Sequence, residues 1–280
     1  MSSSLIDIID GETGVKRPLS IIVKMHSTQD QIRHNVTTNL KRDTPRFMSL
    51  PLLQARNQPL AIVGGGPGLN KRIGEIRQFT NIMVCGSAHD HLISKGVIPT
   101  FSVAVDAKED AVNWFTNPQK ETTYLLASQC HPNMFDKMAD HKIAMWHFKG
   151  QLDNEEDYFK EERTINWGCM VGVLSVQMAL FLGFQELHFF GMDASHDGEN
   201  HHSYDVGDDE VKIFEDRTVF ECNGKPFLST MALISQMEHF FDVFASSDGQ
   251  YIKGYVHNDD LWAECIKASP PEMKEWLEVV

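Results

Sequence analysis

The chain has 280 residues, of which 42% are hydrophobic and 23% charged, proportions that are typical of a globular protein. Its formal net charge of −14 at pH 7 argues against a broad surface for nucleic acid or anionic membranes. The charge still allows a pocket for an anionic small molecule, which needs only local hydrogen-bond donors. The length suffices for one α/β domain with additions or for two small domains.

Residues 1–58 are predicted to form an amino-terminal helical extension. Strand signals are few after Ile21–Val23. Ser27–Leu40 has Asp30 near its start and charged residues throughout, a pattern typical of a helix. Pro45 ends the segment that follows.

Residues 59–195 are predicted to form the core of the domain. Short apolar runs, which indicate buried strands, alternate there with helical stretches at Ala88–Lys95 and Gly172–Leu182. The predicted strands are Leu60–Val63, Asn81–Val84, Phe101–Val105, Tyr124–Ala127, Ile143–Trp146 and Glu186–Phe190. This alternation predicts an α/β fold with a Rossmann-like, doubly wound and mostly parallel sheet.

Residues 196–280 are predicted to complete the same domain. A polar loop rich in Asp, His and Gly comes first. Asn223-Gly224 then predicts a two-residue turn, and therefore a hairpin. A helix at about Ser229–Phe244 and a polar tail are expected to follow.

The five cysteines, at positions 85, 130, 169, 222 and 265, contain no Cys-x-x-Cys pair. An odd number without framework spacing predicts reduced thiols and a cytoplasmic location. The polar, acidic first residues do not resemble a secretory signal. The longest apolar stretch, Val171–Phe184, is too short to span a bilayer, so no membrane span is expected.

The segment at 60–70, LAIVGGGPGLN, is the first candidate ligand site. Glycines at the carboxyl end of a buried strand let the backbone approach a bound group, and the free N–H groups of the following helix favour phosphate. The predicted nucleotide-binding residues here are Gly64, Gly65, Gly66, Pro67, Gly68 and Asn70. Neither the dinucleotide-binding pattern nor the P-loop pattern is complete, so a glycine-rich turn without a ligand remains the alternative.

A second candidate region runs from Ile165 to Asp193. Gly168 and Gly172 bracket a turn into an apolar helix, and the strand after it brings Asp193 to the carboxyl edge of the sheet. The alternative is a buried helix packed on a core strand, with Asp193 capping the next turn.

The loop after this strand has the spacing Asp193-x3-Asp197-x3-His201. Such a loop can bind a metal ion, or it can supply His201 or Asp193 as a base at an acceptor hydroxyl. A solvated Asp-Gly turn with incidental histidines is the alternative.

Taken together, these segments resemble the 6-hydroxymethylpterin diphosphokinase MptE-like family over about residues 59–260. That family is similar to the motility accessory factor glycosyltransferases and distantly to bacterial CMP-sialic acid transferases. The resemblance lies in GGGPG at 64–68, GVIPTFSVAVDA at 96–107, WGCMVGVLSVQMALFLGFQELHFFGMDASHDGENHH at 167–202 and NGKPFLST at 223–230. It implies a Rossmann-like nucleotide site and a group-transfer reaction.

The resemblance also implies roles for individual residues. It gives the phosphate-side turn to Gly64, Gly66 and Pro67, the acidic end of the third strand to Asp106, the start of the central helix to Gly168, and the later polar positions to Asp193 and His201. Two departures stand out. Gly68 replaces the usual serine, and Asp106-Ala-Lys-Glu-Asp replaces the Asp-x-Asp-Gly cluster expected to hold magnesium in the diphosphokinases.

Residues 167–202 resemble the glycosyltransferase branch more closely, which favours a transferase that uses a nucleotide-sugar donor of the CMP-sugar type; such transfer can proceed without a metal. His201 and Asp193 are then the catalytic candidates. A magnesium-dependent diphosphokinase, which moves diphosphate from ATP to a pterin-like alcohol with Asp106 holding Mg²⁺, is the alternative. A non-catalytic nucleotide-binding module is the third possibility. The partners expected are a nucleotide and an acceptor of open identity, with no nucleic acid and no assigned oligomeric state.

Overall fold

The computed structural model describes residues 7–9, 16–18, 27–50, 58–150, 152–160, 162–166, 170–198, 200–205, 217–245 and 252–280. The strands in these residues are β1 Asp7–Ile9, β2 Lys16–Pro18, β3 Pro59–Val63, β4 Asn81–Cys85, β5 Phe101–Ala104, β6 Thr123–Ala127, β7 Lys142–Trp146, β8 Glu186–Phe190, β9 Arg217–Cys222, β10 Lys225–Thr230, β11 Lys253–Val256 and β12 Leu277–Val279.

The helices are α1 Gln29–Asn39, α2 Leu69–Ile76, α3 Ala88–Ser94, α4 Pro132–Lys137, α5 Glu156–Phe159, α6 Val171–Leu182, α7 Met231–Ala245, α8 Leu261–Ala268 and α9 Pro271–Lys274. Two short 3-10 helices lie at Phe47–Ser49 and Asp110–Phe115. In the described part of the chain, no helix combines the length and the apolar character that crossing a membrane requires.

Eight strands form one central sheet in the order β12-β11-β8-β3-β4-β5-β6-β7, and all neighbours are parallel. Parallel strands buried on both faces need nearly continuous apolar sequence. Strand β3 shows this clearly. Leu60 and Ile62 pack with α6 on one face, while Ala61 and Val63 pack with α2 and α3 on the other. The predicted doubly wound α/β fold is confirmed.

The six predicted strands are all present, with ends that differ by a residue at most. The predicted polar tail is wrong, because residues 252–280 supply β11, α8 and β12. Trp262 and Leu277 are buried there. Strand β11 is only four residues long and contains Gly254, so its sequence carries little strand signal. Pairing with β8 makes it a strand of the sheet.

The predicted hairpin is confirmed, with β9 and β10 joined at Asn223 and Gly224, both of which have positive φ. The structure adds a feature that was not expected, because β1 and β2 join this hairpin in a four-stranded antiparallel sheet. The amino-terminal segment is therefore not wholly helical. The strand signal at residues 21–23 falls outside the described residues.

The predicted amino-terminal helix is confirmed as α1, and two buried asparagines fix it to the carboxyl edge of the central sheet. Asn35 Nδ2 donates to the carbonyl oxygens of Ala107 and Gln129, each at 2.9 Å. Asn39 Nδ2 donates to two further carbonyl oxygens in the loop after β6, at 3.0 and 2.7 Å. Because amides bind the strand-end loops directly, α1 closes the edge at which the candidate site lies.

Candidate functional site

The direction in which strands are added to the sheet reverses between β3 and β8. At such a switch point two adjacent loops diverge and leave a crevice at the carboxyl edge, where open α/β sheets bind ligands. The segments that follow β3 and β8 first contact each other, because the Gly64 N–H donates to Phe190 O at 2.8 Å and the Gly66 N–H donates to Gly191 O at 2.7 Å. The two sequence segments singled out as candidate sites therefore meet.

A cavity of about 560 Å³ opens at this edge, between the glycine-rich turn, the start of α6 and the start of α7. We refer to it as the large cavity. Its volume lies within the range of about 300–1,000 Å³ typical of small-molecule sites. The predicted site residues that line it are Gly64, Gly65, Gly66, Pro67, Asp106, Asp193 and His201. Gly168 lies outside the described residues.

The chain itself requires the glycines of this turn. A Cβ at Gly66 would overlap the Asp193 carboxylate, and a Cβ at Gly68 would lie 2.7 Å from Asp193 Oδ1. The Gly68 N–H donates to Asp193 Oδ2 at 2.9 Å. The carboxylate thus occupies the amino end of α2, where free N–H groups for phosphate were expected. That part of the expectation is corrected, since the N–H groups of Gly64, Gly66 and Gly68 all bind within the chain.

Helix α6 offers a different amino end to the large cavity. Met170, Val171 and Gly172 line the cavity, the N-cap residue Met170 makes no side-chain capping hydrogen bond, and the first turn contains no acidic residue. The first N–H groups of a helix lack partners within the helix and carry its positive dipole end. An anion bound here would therefore be stabilised.

Residues 200–205 fold over the glycine-rich turn. The Ser203 N–H donates to Gly65 O at 2.9 Å, and Ser203 Oγ donates to Pro67 O at 2.8 Å. Asn70 Nδ2 donates to Ser203 O at 2.9 Å, so Asn70 ties this loop to α2 and does not line the large cavity, contrary to expectation. Tyr204, which the sequence did not single out, lies with its hydroxyl 2.9 Å from that of Ser87 in the cavity wall.

Three histidines gather beside this loop. The His201 ring centroid lies 5.7 Å from that of His196 and 4.4 Å from that of His202. Burial, followed by the charges of His196 and Arg217, lowers the pKa of His201 to about 4. Burial and the other two histidines lower the pKa of His202 to about 3. A histidine in a solvated loop titrates near neutral pH, whereas burial keeps the His201 imidazole neutral to well below that range.

Asp193 has a carboxyl partner that the sequence reading missed. Asp193 is 5% exposed and lies in hydrogen-bonding reach of Asp260, which caps α8 by accepting the Ala263 N–H at 3.2 Å. Burial, followed by the hydrogen bond and the charge of Asp193, raises the pKa of Asp260 well above its usual range. A proton on Asp260 Oδ2, which has no other described partner, can bridge the two groups. The sequence does contain a signal for Asp260, because this residue directly precedes the apolar run of α8, which is the usual position of an N-cap.

The predicted metal ligands do not gather. Asp106 Oδ1 accepts the Lys108 N–H at 2.8 Å, while Glu109 is exposed and binds Asn133. Among the described residues, no group of three or more His, Cys, Asp or Glu is placed to hold a metal ion. The same statement holds for the described residues of the 193–201 loop, which are all of its residues except Glu199. Of Asp106, Glu109 and Asp110, Asp106 lines the large cavity, where it would meet a magnesium ion brought by a bound nucleotide.

A parallel, doubly wound sheet with its cavity at the switch point defines an α/β protein of Rossmann-like architecture. More specifically, the chain belongs to the 6-hydroxymethylpterin diphosphokinase MptE-like family, whose model matches residues 30–199. No curated protein sequence matches the chain.

Among solved structures, the MAf glycosyltransferase from Magnetospirillum magneticum AMB-1 is similar, with a TM-score of 0.62 and 18% identity over 85% of this chain. The match spans 38% of that longer protein and shows a shared fold. A mammalian sialyltransferase has a TM-score of 0.39 and 14% identity, and the match covers 68% of this chain and 75% of the sialyltransferase chain. The sialyltransferase CstII from Campylobacter jejuni, solved with cytidine-5'-monophosphate, has a TM-score of 0.31 and 12% identity. The match covers 80% of this chain and 85% of the CstII chain.

Proposed function

We propose that this protein is a transferase that moves a sugar from a nucleotide-sugar of the CMP type to an acceptor hydroxyl. The charge of the large cavity carries the proposal. No lysine or arginine stands among the described residues that line it, whereas the amino end of α6, where Met170 makes no side-chain cap, opens into it. A helix end suits a single phosphate. An ATP triphosphate carries several more negative charges and would need a cation.

Other groups in the large cavity suit the remaining parts of such a donor. Trp114 is half-buried in the wall and offers a ring face on which a nucleotide base can stack. Gln129 and Gln236 lie in the same wall and offer amide groups to ribose and base atoms. The shared fold with a MAf glycosyltransferase is consistent with this use of the cavity.

Our proposal assigns the chemistry to two side chains. Asp193 borders the cavity from the β8 side and can accept the proton of the acceptor hydroxyl. His201 is neutral at pH 7, so its ring can accept that proton or donate its N–H to the departing phosphate. The bond between the anomeric carbon and the phosphate oxygen breaks, and the electron pair leaves with the nucleotide.

A second candidate is favoured by the family to which the chain belongs. A diphosphokinase would bind ATP with Mg²⁺ in the large cavity, and Asp106 would hold the metal. The metal would neutralise the transferring phosphates. This reading needs Mg²⁺ at every turnover, whereas sugar transfer from a CMP-sugar does not.

Isothermal titration calorimetry with CMP, UDP, GDP and ATP, each with and without MgCl₂, tests the proposal. We expect CMP to bind without Mg²⁺, and Trp114→Ala to weaken CMP binding at least tenfold. Val219→Ala, at an exposed position on β9, is the control and should bind as the wild type does.

The reaction is tested separately by following release of CMP from a CMP-sugar in EDTA. Magnesium-dependent formation of AMP from ATP and a hydroxymethylpterin would replace the proposal with the diphosphokinase. CMP binding without any CMP release from a range of CMP-sugars would indicate the non-catalytic module.

A further inference from the structure

A second pocket lies beyond Asp193, on the side away from α6. We refer to it as the polar pocket. It has a volume of about 290 Å³ and includes Phe227, Asn258 and Asp260 in its wall, with Arg72 also on its lining. Asp193 and Ser195 line both this pocket and the large cavity. A group bound in the polar pocket would therefore reach the same carboxylate as a group bound in the large cavity.

The polar pocket contains buried groups that lack partners. Asn258 is 3% exposed, and within the described residues neither its Oδ1 nor its Nδ2 has a hydrogen-bond partner. The same holds for both ring nitrogens of His196, which also lines the pocket. Leaving a buried amide unsatisfied costs stability, so folded proteins rarely do so without a reason. The polar atoms of both side chains are covered in this conformation, so a polar ligand in the pocket would supply the missing bonds once the side chains turn toward it.

The chemistry of these groups indicates which ligand would pair. An amide side chain presents donors and an acceptor side by side, and a neutral imidazole presents one of each. Hydroxyl groups match both, because each hydroxyl can donate and accept. Phe227 is half-buried and adds a ring against which the C–H face of a sugar can pack.

The charges around the polar pocket favour a neutral ligand. Arg72 already pairs with Glu75 at 2.8 Å and with Asp259 at 3.7 Å. Asp193 and Asp197 add acidic groups to the lining, and Lys71 adds a cation. This balance leaves no excess of positive charge for a phosphorylated ligand.

We propose that the polar pocket is the acceptor site and takes a neutral sugar or polyol. This inference rests on the proposed function. The acceptor lies with one hydroxyl at Asp193, facing the donor in the large cavity. The hydroxyl oxygen forms the new bond to the anomeric carbon as the carbon–oxygen bond to CMP breaks. The hydroxyl proton passes to the Asp193 carboxylate, and the electron pair of the broken bond stays on the phosphate.

Saturation-transfer NMR tests the pocket directly, with methyl glycosides of galactose, glucose and N-acetylglucosamine as probes and with CMP present at saturation. We expect a signal from at least one glycoside. Asn258→Leu should abolish it and, because an unsatisfied amide is removed, should also raise the Tm. Gln236→Ala, in the wall of the large cavity, is the matched variant and should weaken CMP binding while the glycoside signal persists.

The outcomes separate the two proposals. If CMP binds but no glycoside gives a signal, or if Asn258→Leu retains the signal, the acceptor site is wrong and the donor cavity stands. A lower Tm for Asn258→Leu would also overturn it, because Asn258 would then have a structural role. If a glycoside binds through Asn258 while no nucleotide binds at all, the pocket stands and the proposed function falls.

Discussion

Replacing Gly68 by alanine tests whether the Asp193 carboxylate fixes the glycine-rich turn. Gly68 has φ −71° and ψ −16°, a conformation that alanine adopts without strain. The added Cβ would lie 2.7 Å from Asp193 Oδ1, and its next contacts, at 3.4 and 3.5 Å, are also with Asp193. Asp193 is held by the Gly68 N–H and by Asp260, so it cannot move away freely.

The size of the effect follows from these contacts. Forcing a methyl group into a packed site costs about 1–3 kcal/mol. Displacing the carboxylate also weakens a hydrogen bond to a charged group, worth about 1.5–3 kcal/mol when it is fully lost. We therefore expect Gly68→Ala to lower the free energy of unfolding by about 2–4 kcal/mol. Gly74→Ala in α2 is the control, because nothing lies within 4 Å of the added Cβ. This variant should raise the free energy of unfolding by about 0.5–1 kcal/mol.

Urea unfolding followed by circular dichroism measures both changes, in the wild type and in an Asp193→Ala background. Without the carboxylate the alanine at position 68 meets no obstacle and displaces no hydrogen-bond partner, so the coupling energy of the double-mutant cycle should be about 2–4 kcal/mol. The intrinsic cost of alanine at a helix N-cap is the same in both backgrounds and cancels. A Gly68→Ala cost that agrees within about 0.5 kcal/mol in the two backgrounds would refute the reasoning.

Two further predictions concern titrating groups. Because the pKa of Asp260 is raised in the folded protein, its contribution to stability is full at pH values below its unfolded pKa and is lost as pH rises through the folded pKa. Asp260→Asn should remove this loss. In urea unfolding, the free energy of unfolding of the variant minus that of the wild type should therefore be larger at pH 8 than at pH 4.5. An equal value at the two pH values would contradict the shared proton. His201→Ala should lower kcat about a hundredfold with nucleotide affinity little changed, and wild-type kcat/KM should show no ionisation of His201 between pH 5.5 and 7.5. His34→Ala, at an exposed position on α1, is the control. If His201→Ala has the same kcat as the wild type, His201 takes no part in the mechanism.

The sequence by itself determined the centre of the fold. Most residues of strands β3 to β8 are buried, which requires short apolar runs, so each strand could be found from a few neighbouring residues. The Asn223-Gly224 turn and the apolar helix α6 are equally local signals. Because glycines directly follow β3 and β8, the position of the candidate site at the sheet edge followed as well.

Tertiary structure decided the rest, because the interactions concerned join residues far apart in the chain. Strand β11 is a strand because β8 offers it a partner, and β1 pairs with the distant β9. Asp193 was visible in the sequence, but its bond to the Gly68 N–H and its pairing with Asp260 were not. The low pKa of His201 likewise comes from burial beside His196, not from its sequence neighbours alone. Local patterns specify which segments are apolar, whereas desolvation and the pairing of buried polar groups depend on which segments the fold brings together.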